Sequence, residues 1–185
     1  MKNVRRLTPC RAAAAAPRHL FQRLVVFPSL SGGLKLGSTM TTAAKNLSQE
    51  APRSPRVRLG DYVVLARAID KGHADLQGTV GEFHYDCPLD KMLFEFKGVT
   101  GDELKKVLAT GATDEEIVAW LNSHGTPKSA SEIKAWSDEM EARLPYQNPE
   151  RREWWVGICT PLGLKPETTR LFDYLEADDL ATFKK

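Results

Sequence analysis

Three short stretches limit what this chain can fold into. Thr100-Gly101-Asp102-Glu103, Thr113-Asp114-Glu115-Glu116 and Ser129-Ala130-Ser131-Glu132 each set a hydroxyl three residues ahead of a glutamate. That is the reciprocal cap of a helix N-terminus, in which hydroxyl and carboxylate each take a backbone N–H that the helix leaves over. Apolar residues follow each cap at helical spacing: Leu104, Val107 and Leu108; Ile117, Trp120 and Leu121; Ile133, Trp136 and Met140. Gly111, Gly125 and Pro145 then stop the three segments, as glycine and proline do.

Further helices flank these three. Pro88 suits a first turn, with Leu89, Met92, Leu93 and Phe96 on one face and Gly98 as the stop. Asn148-Pro149 opens a segment carrying Trp154, Trp155 and Ile158, ended by Pro161 and Gly163. Pro166-Glu167-Thr168 opens a last one, with Leu171, Phe172 and Leu175. Upstream, Tyr62, Leu65, Ile69 and Leu76 fit one face of a helix over Asp61 to Asp75, with Arg67, Asp70, Lys71 and His73 on its other sides. Gly72 weakens the end of that helix. Between Gly78 and Tyr85 the pattern is short and partly alternating, which fits an irregular loop or a small hairpin near 78–86; one strand pair makes no stable sheet alone. No βαβ alternation occurs, and the segments differ too much to be a repeat. The expected fold is all-α: a compact bundle of six or seven short helices, as a single domain over 57–185.

Charge divides the chain. Its net +2 conceals seven basic residues and no acid in 1–39, against a body of about −5 from Met40 onward. The leader is Ala-rich, with a short apolar patch at Leu24-Val25-Val26-Phe27 broken by Pro28. It fits either a targeting segment or sequence upstream of a true start at Met40, and the compositional break at Met40 favours the second. Residues 40–56 read as a polar flexible arm, with Arg53, Arg56 and Arg58 as solvated charges. An acidic body argues against a nucleic-acid surface, and no run of about 18 apolar residues exists to span a membrane. Cys10, Cys87 and Cys159 form neither a CxxC pair nor an even framework. A reduced, cytoplasmic location fits them.

Reactive side chains concentrate in Val80-Gly81-Glu82-Phe83-His84-Tyr85-Asp86-Cys87-Pro88-Leu89-Asp90. Glu82, His84, Asp86 and Cys87 are possible metal ligands, but no second pair closes a site and His124 is isolated, so no metal and no cofactor is expected. Cys87 at a helix start, with His84 three residues earlier, is the catalytic candidate, because free N–H groups there lower a thiol pKa. Alternatively, Arg67, Asp70 and Lys71 of the first helix face Glu82, His84, Tyr85 and Asp86 of the loop. They would then either hold a small polar ligand or pin the loop to the helix as ion pairs. Asp90 reads as a favourable charge in a first turn. Trp154 and Trp155 are adjacent and cannot share one core, so one of them lines a groove or a partner surface. The leading expectation is a small soluble binding protein with a polar ligand between the first helix and the 82–90 loop. The alternatives are a small enzyme using Cys87, His84 or a nearby carboxylate, and a protein-interaction module using the exposed aromatics.

The segments Arg53-Ser54-Pro55-Arg56-Val57-Arg58-Leu59-Gly60, Ile69-Asp70-Lys71-Gly72-His73-Ala74 and Gly78 to Asp90, with Leu171-Phe172-Asp173-Tyr174-Leu175 and Asp178-Asp179, carry a resemblance. From about Asn46 to Phe183 the chain resembles the bacterial domain-of-unknown-function family DUF5069. The resemblance implies no activity and carries over no catalytic residue. It implies a start shortly before Arg53, in line with Met40. Gly72 and His73 depart from the plainer helix expected there.

Overall fold

The computed structural model describes residues 44–183; the leader and the choice between Met1 and Met40 lie outside the described residues. Seven α-helices run in order: α1 (Leu65–Gln77), α2 (Pro88–Lys97), α3 (Gly101–Leu108), α4 (Asp114–Ser123), α5 (Ala130–Ala142), α6 (Pro149–Cys159) and α7 (Leu171–Phe183). Single 3₁₀ turns at Pro145–Gln147 and Thr160–Leu162 flank α6. No strand forms among the described residues, so the fold is all-α, and 78–86 is a run of turns.

All three capping boxes form. Thr100, Thr113 and Ser129 accept the backbone N–H of Glu103, Glu116 and Glu132, and each glutamate takes back its own cap's N–H. These helices start where their sequence says because the exchange is local and satisfies two leftover donors at once.

The first helix departs from expectation. It begins at Leu65, four residues late, because Asp61 (φ 67°) and Val64 (φ 70°) turn through the left-handed region. That conformation is strained for a β-branched residue. The Pro55 carbonyl holds it by accepting the Val64 N–H at 2.8 Å, while Ser137 Oγ accepts the Val63 N–H at 3.3 Å. Beyond that turn α1 buries its polar face as well as its apolar one. Every residue from Leu65 to Gly72 is buried, Arg67, Asp70 and Lys71 included. Gly72 does not end the helix; it brings α3 close, because a Cβ there would lie 2.3 Å from Leu108 Cδ1.

Core forms around α1 in three bodies. Leu65, Ala68 and Ile69 pack with Tyr85 of the loop and with Leu93, Phe94, Leu104, Leu108, Ile117, Leu121 and Ile133 of α2 to α5. Val63 and Val64 pack with Cys87, Leu89, Met140, Trp155, Cys159, Phe172 and Leu175 on the α6–α7 side. Ala74 meets Phe83 and Leu47 of the arm.

The arm is therefore not a solvated tail. From Leu47 onward it is laid against the helices, and its arginines clip four of them. Arg53 binds Asp70 of α1, at 2.9 Å, and Asp114 of α4. Arg56 binds Asp173 and Glu176 of α7. Arg58 binds Asp138 and Glu141 of α5, at 2.7 and 2.8 Å. Asp173 is accordingly part of a clip. Isolated pairs of this exposure stabilise by only about 0–1 kcal/mol each. Their value is positional, since one strand of arm fixes α1, α4, α5 and α7 together.

Tyr62 at the mouth of α1 is fully buried and donates its hydroxyl to Asn122 Oδ1 at 2.8 Å. Burial pushes its pKa up to about 12, against about 10 in an unfolded chain. Between those values the unfolded state has given up a proton that the folded state keeps, so stability falls as pH rises through the window. Urea midpoints from pH 8 to pH 12 test this. The Tyr62→Phe variant is expected to lose less stability than wild type between about pH 10 and 12, whatever its offset at neutral pH. Parallel curves would show that Tyr62 titrates as in the unfolded chain.

Candidate functional site

The charged residues of α1 each find a partner, and not in one place. Arg67, 3% exposed, makes a two-pronged contact with Asp179 of α7, at 2.6 and 3.0 Å. Its guanidinium also lies over the Phe83 ring, 5.5 Å from the centroid. Asp70 accepts the backbone N–H of Arg53 at 2.7 Å and its Nε at 2.9 Å. Lys71 Nζ donates to Asp90 Oδ1 at 2.7 Å and to Cys87 Sγ at 3.2 Å. Asp90 is the first-turn acid expected of α2, but it is 0% exposed and also anchors α2 to α1. Its other oxygen takes the Cys87 N–H at 3.4 Å.

The loop residues scatter. Glu82 and His84 are exposed, and His84 has no hydrogen-bond partner among the described residues. Tyr85 points inward and donates to the Gly101 carbonyl at 2.7 Å; burial pushes its pKa well up. Asp86 turns through φ 57° and sits against Gly101, where a Cβ would lie 2.8 Å from its Oδ1. Its nearest cation is the exposed Lys91, at 3.7 Å. So Arg67, Asp70 and Lys71 do not converge on Glu82, His84 and Asp86. Cys87, 1% exposed, is hydrogen-bonded to a buried lysine rather than to His84.

The second thiol, Cys159, is buried, and desolvation with a contribution from Glu167 pushes its pKa up to about 11. It is a neutral core residue at physiological pH. Among the described residues no group of three or more His, Cys, Asp or Glu side chains is placed to hold a metal. A cavity of about 40 Å³ lies between the arm, α1 and the start of α4, lined by Lys45, Arg53, Asp70, His73, Thr113 and Asp114. That is room for roughly a water molecule. Burial holds His73 there below its usual pKa, against the pull of Asp70 and Asp114.

A larger concavity lies where the end of α5, α6 and the start of α7 meet. A groove of about 360 Å³ is lined by Arg143, Leu144, Pro145, Gln147, Asn148, Arg151, Trp154 and Leu171. The tandem tryptophans divide as their adjacency requires. Trp155 is fully buried and donates Nε1–H to the Pro166 carbonyl at 3.0 Å, whereas Trp154 is half-buried and lines the groove. Asn148 caps α6 through Oδ1, which accepts the Glu150 N–H at 2.9 Å. The Arg143 carbonyl takes the Leu171 N–H at 2.9 Å, closing the wall formed by α7. Arg143 Nη1 reaches only the sulfurs of Met92 and Met140, at 3.4 and 3.8 Å. Neither Arg143 nor Arg151 pairs with a carboxylate among the described residues. Sequence reasoning nominated one of Trp154 and Trp155 without choosing and missed the two arginines, because nothing local marks residues 143, 151 and 171 as neighbours.

The Lys71–Asp90 pair tests the reading of α1 as a charged core helix. Asp90→Ala leaves a buried ammonium unpaired and is expected to cost about 3–5 kcal/mol. The double replacement Lys71→Met with Asp90→Leu is expected to cost less than that single change, since it removes both charges. Urea denaturation of the two variants measures the difference, and a single variant within about 1 kcal/mol of wild type would mean that the pair is hydrated.

No curated protein matches the chain. A family model described as "Domain of unknown function (DUF5069)" matches residues 49–180, from the docked arm to the last turns of α7. The chain thus belongs to the DUF5069 family.

Proposed function

We propose that the protein binds a small anionic ligand with a flat apolar body, seated in the groove between Arg143, Arg151 and Trp154. This keeps the ligand-binding function expected from the sequence and moves its place. The observation that carries it is a contrast among arginines. Arg53, Arg56, Arg58 and Arg67 each hold a carboxylate of the domain itself. Arg143 and Arg151 are exposed, pair with no carboxylate among the described residues, and stand beside an indole. A guanidinium fork matches a carboxylate or phosphate in shape as well as charge. Leu144, Pro145, Leu171 and Trp154 supply an apolar lining. The volume falls at the lower end of the range that small-molecule sites occupy.

The groove favours binding over catalysis. None of its lining side chains is a nucleophile or a general base at neutral pH. The alternative enzyme at Cys87 and His84 is less well supported, since the thiol is buried and the imidazole faces solvent. The proposed binding needs no cofactor. No described helix is long and apolar enough to cross a membrane. Both described cysteines are free, which suits a reducing compartment such as the cytoplasm.

A melt of the full chain against aromatic carboxylates, aliphatic carboxylates and phosphate monoesters tests the proposal. A ligand at about 100 times its Kd stabilises by roughly 2.7 kcal/mol, a shift of several degrees. The shift is expected to be largest for aromatic acids and to weaken with salt. Arg143→Ala and Arg151→Ala are each expected to weaken binding about tenfold or more, the share of one charge-assisted hydrogen bond. Trp154→Leu is expected to remove the preference for aromatic over aliphatic acids. A panel that shifts nothing, or shifts wild type and both arginine variants alike, overturns the reading. Selective binding of peptides bearing a C-terminal carboxylate would assign the groove to a protein partner instead.

A further inference from the structure

We infer that Lys71 and Cys87 are a modification site, at which an oxidant joins Nζ and Sγ through one bridging oxygen. The inference is independent of the groove, which shares none of these residues. Three observations carry it. First, Lys71 Nζ lies 3.2 Å from Cys87 Sγ, and both side chains are buried, at 0% and 1% exposure. Second, the amine is held at that distance from behind: Asp90 Oδ1 takes it at 2.7 Å, while Asp90 Oδ2 takes the Cys87 N–H at 3.4 Å. One carboxylate thus fixes both reacting residues. Third, the two residues sit on separate rigid elements, Lys71 in mid-α1 and Cys87 at the N-cap of α2. Their approach is therefore set by packing and not by a mobile loop.

The chemistry closes with dioxygen as the oxidant. One oxygen atom is inserted between nitrogen and sulfur, and the other leaves as water. The bonds broken are O–O, S–H and two N–H; the bonds formed are N–O, O–S and the two O–H bonds of water. Nitrogen and sulfur give up two electrons each, and dioxygen takes all four. Starting from the ammonium, three protons are released. Two go into the water and the third passes to the Asp90 carboxylate, which already accepts a hydrogen bond from the same nitrogen. An oxygen bridge asks less movement of a packed core than a direct N–S bond, since the two atoms must close from 3.2 Å. The product ties α1 to α2 covalently, beside the ion pair of Lys71 with Asp90. Thiol reductants return both side chains to their starting forms.

The experiment compares the full chain incubated in oxygen-saturated buffer with chain kept anaerobic under dithiothreitol. Expected is a peptide pair joining Lys71 to Cys87, about 14 Da heavier than the unlinked sum, from one oxygen gained and two hydrogens lost. Trypsin no longer cuts after Lys71, the melting temperature rises, and dithiothreitol reverses all three. Cys87→Ser and Lys71→Arg are each expected to abolish the linkage, and Cys159→Ser to leave it intact. Should Lys71→Arg fail to fold, Cys87→Ser and the mass of the wild-type linkage decide the question. Recovery of Cys87 as a free thiol, as a sulfinic acid or as a disulfide with Cys159, with Lys71 still cleaved, overturns the inference. So does a linkage about 2 Da lighter than the unlinked sum, which is a sulfenamide without the bridging oxygen.

Discussion

Carrying Arg67, Asp70 and Lys71 into the interior on one helix is the constraint on which the rest of this domain depends. An unpaired charge at such depth costs several kcal/mol. Each of the three must therefore meet an opposite charge, and the partners come from distant chain. Asp179 comes from the last helix, Arg53 from the arm and Asp90 from the first turn of α2. Those three requirements fix where both ends of the domain go. The arm must cross α1 on one side so that Arg53 reaches Asp70, and α7 must return to the other so that Asp179 reaches Arg67. The hydrophobic bodies around α1 then fill the space that the ion pairs define.

This explains which parts of the fold were legible in the sequence. Capping boxes are exchanges within four residues, so Thr100, Thr113 and Ser129 announce α3, α4 and α5 without reference to anything else. A buried charge is legible only through its partner. Arg67 and Asp179 stand 112 positions apart, and no pattern in the intervening chain connects them. Read locally, charges at 67, 70 and 71 make α1 look amphipathic, and Arg53, Arg56 and Arg58 look like a solvated tail. The late start of α1 was hidden for a similar reason. The left-handed turn at Val64 is held by hydrogen bonds with Pro55 and Ser137, and Ser137 lies 74 residues away.

The dense stretch from Glu82 to Asp90 shows how reactive residue types can cluster in sequence and separate in space. A turn-rich segment reverses direction every two or three residues, so neighbouring side chains leave it on different sides. Glu82 and His84 go to solvent, while Phe83, Tyr85, Cys87 and Asp90 go to the core. Half of the cluster thus became scaffold. What the sequence suggested as a ligand pocket is filled by the protein's own lysine and aspartate. The ion pairs expected between that helix and Glu82, His84 and Asp86 do not form; Lys71 pairs instead with Asp90, in the first turn of α2.

The groove at Arg143 follows from the same economy of charge. The acids of α1, α4, α5 and α7 that face the arm are occupied by arginines 53, 56, 58 and 67. The groove lies where the 3₁₀ turn at Pro145 meets α6. There Arg143 and Arg151 keep their hydrogen-bonding capacity beside Trp154. The half-buried indole follows from its register. With Trp155 committed to the core against Tyr174, 5.3 Å between ring centroids, the next side chain along the helix must face outward. The α6 side thus presents cations beside an aromatic surface, and among the described residues no carboxylate pairs with Arg143 or Arg151.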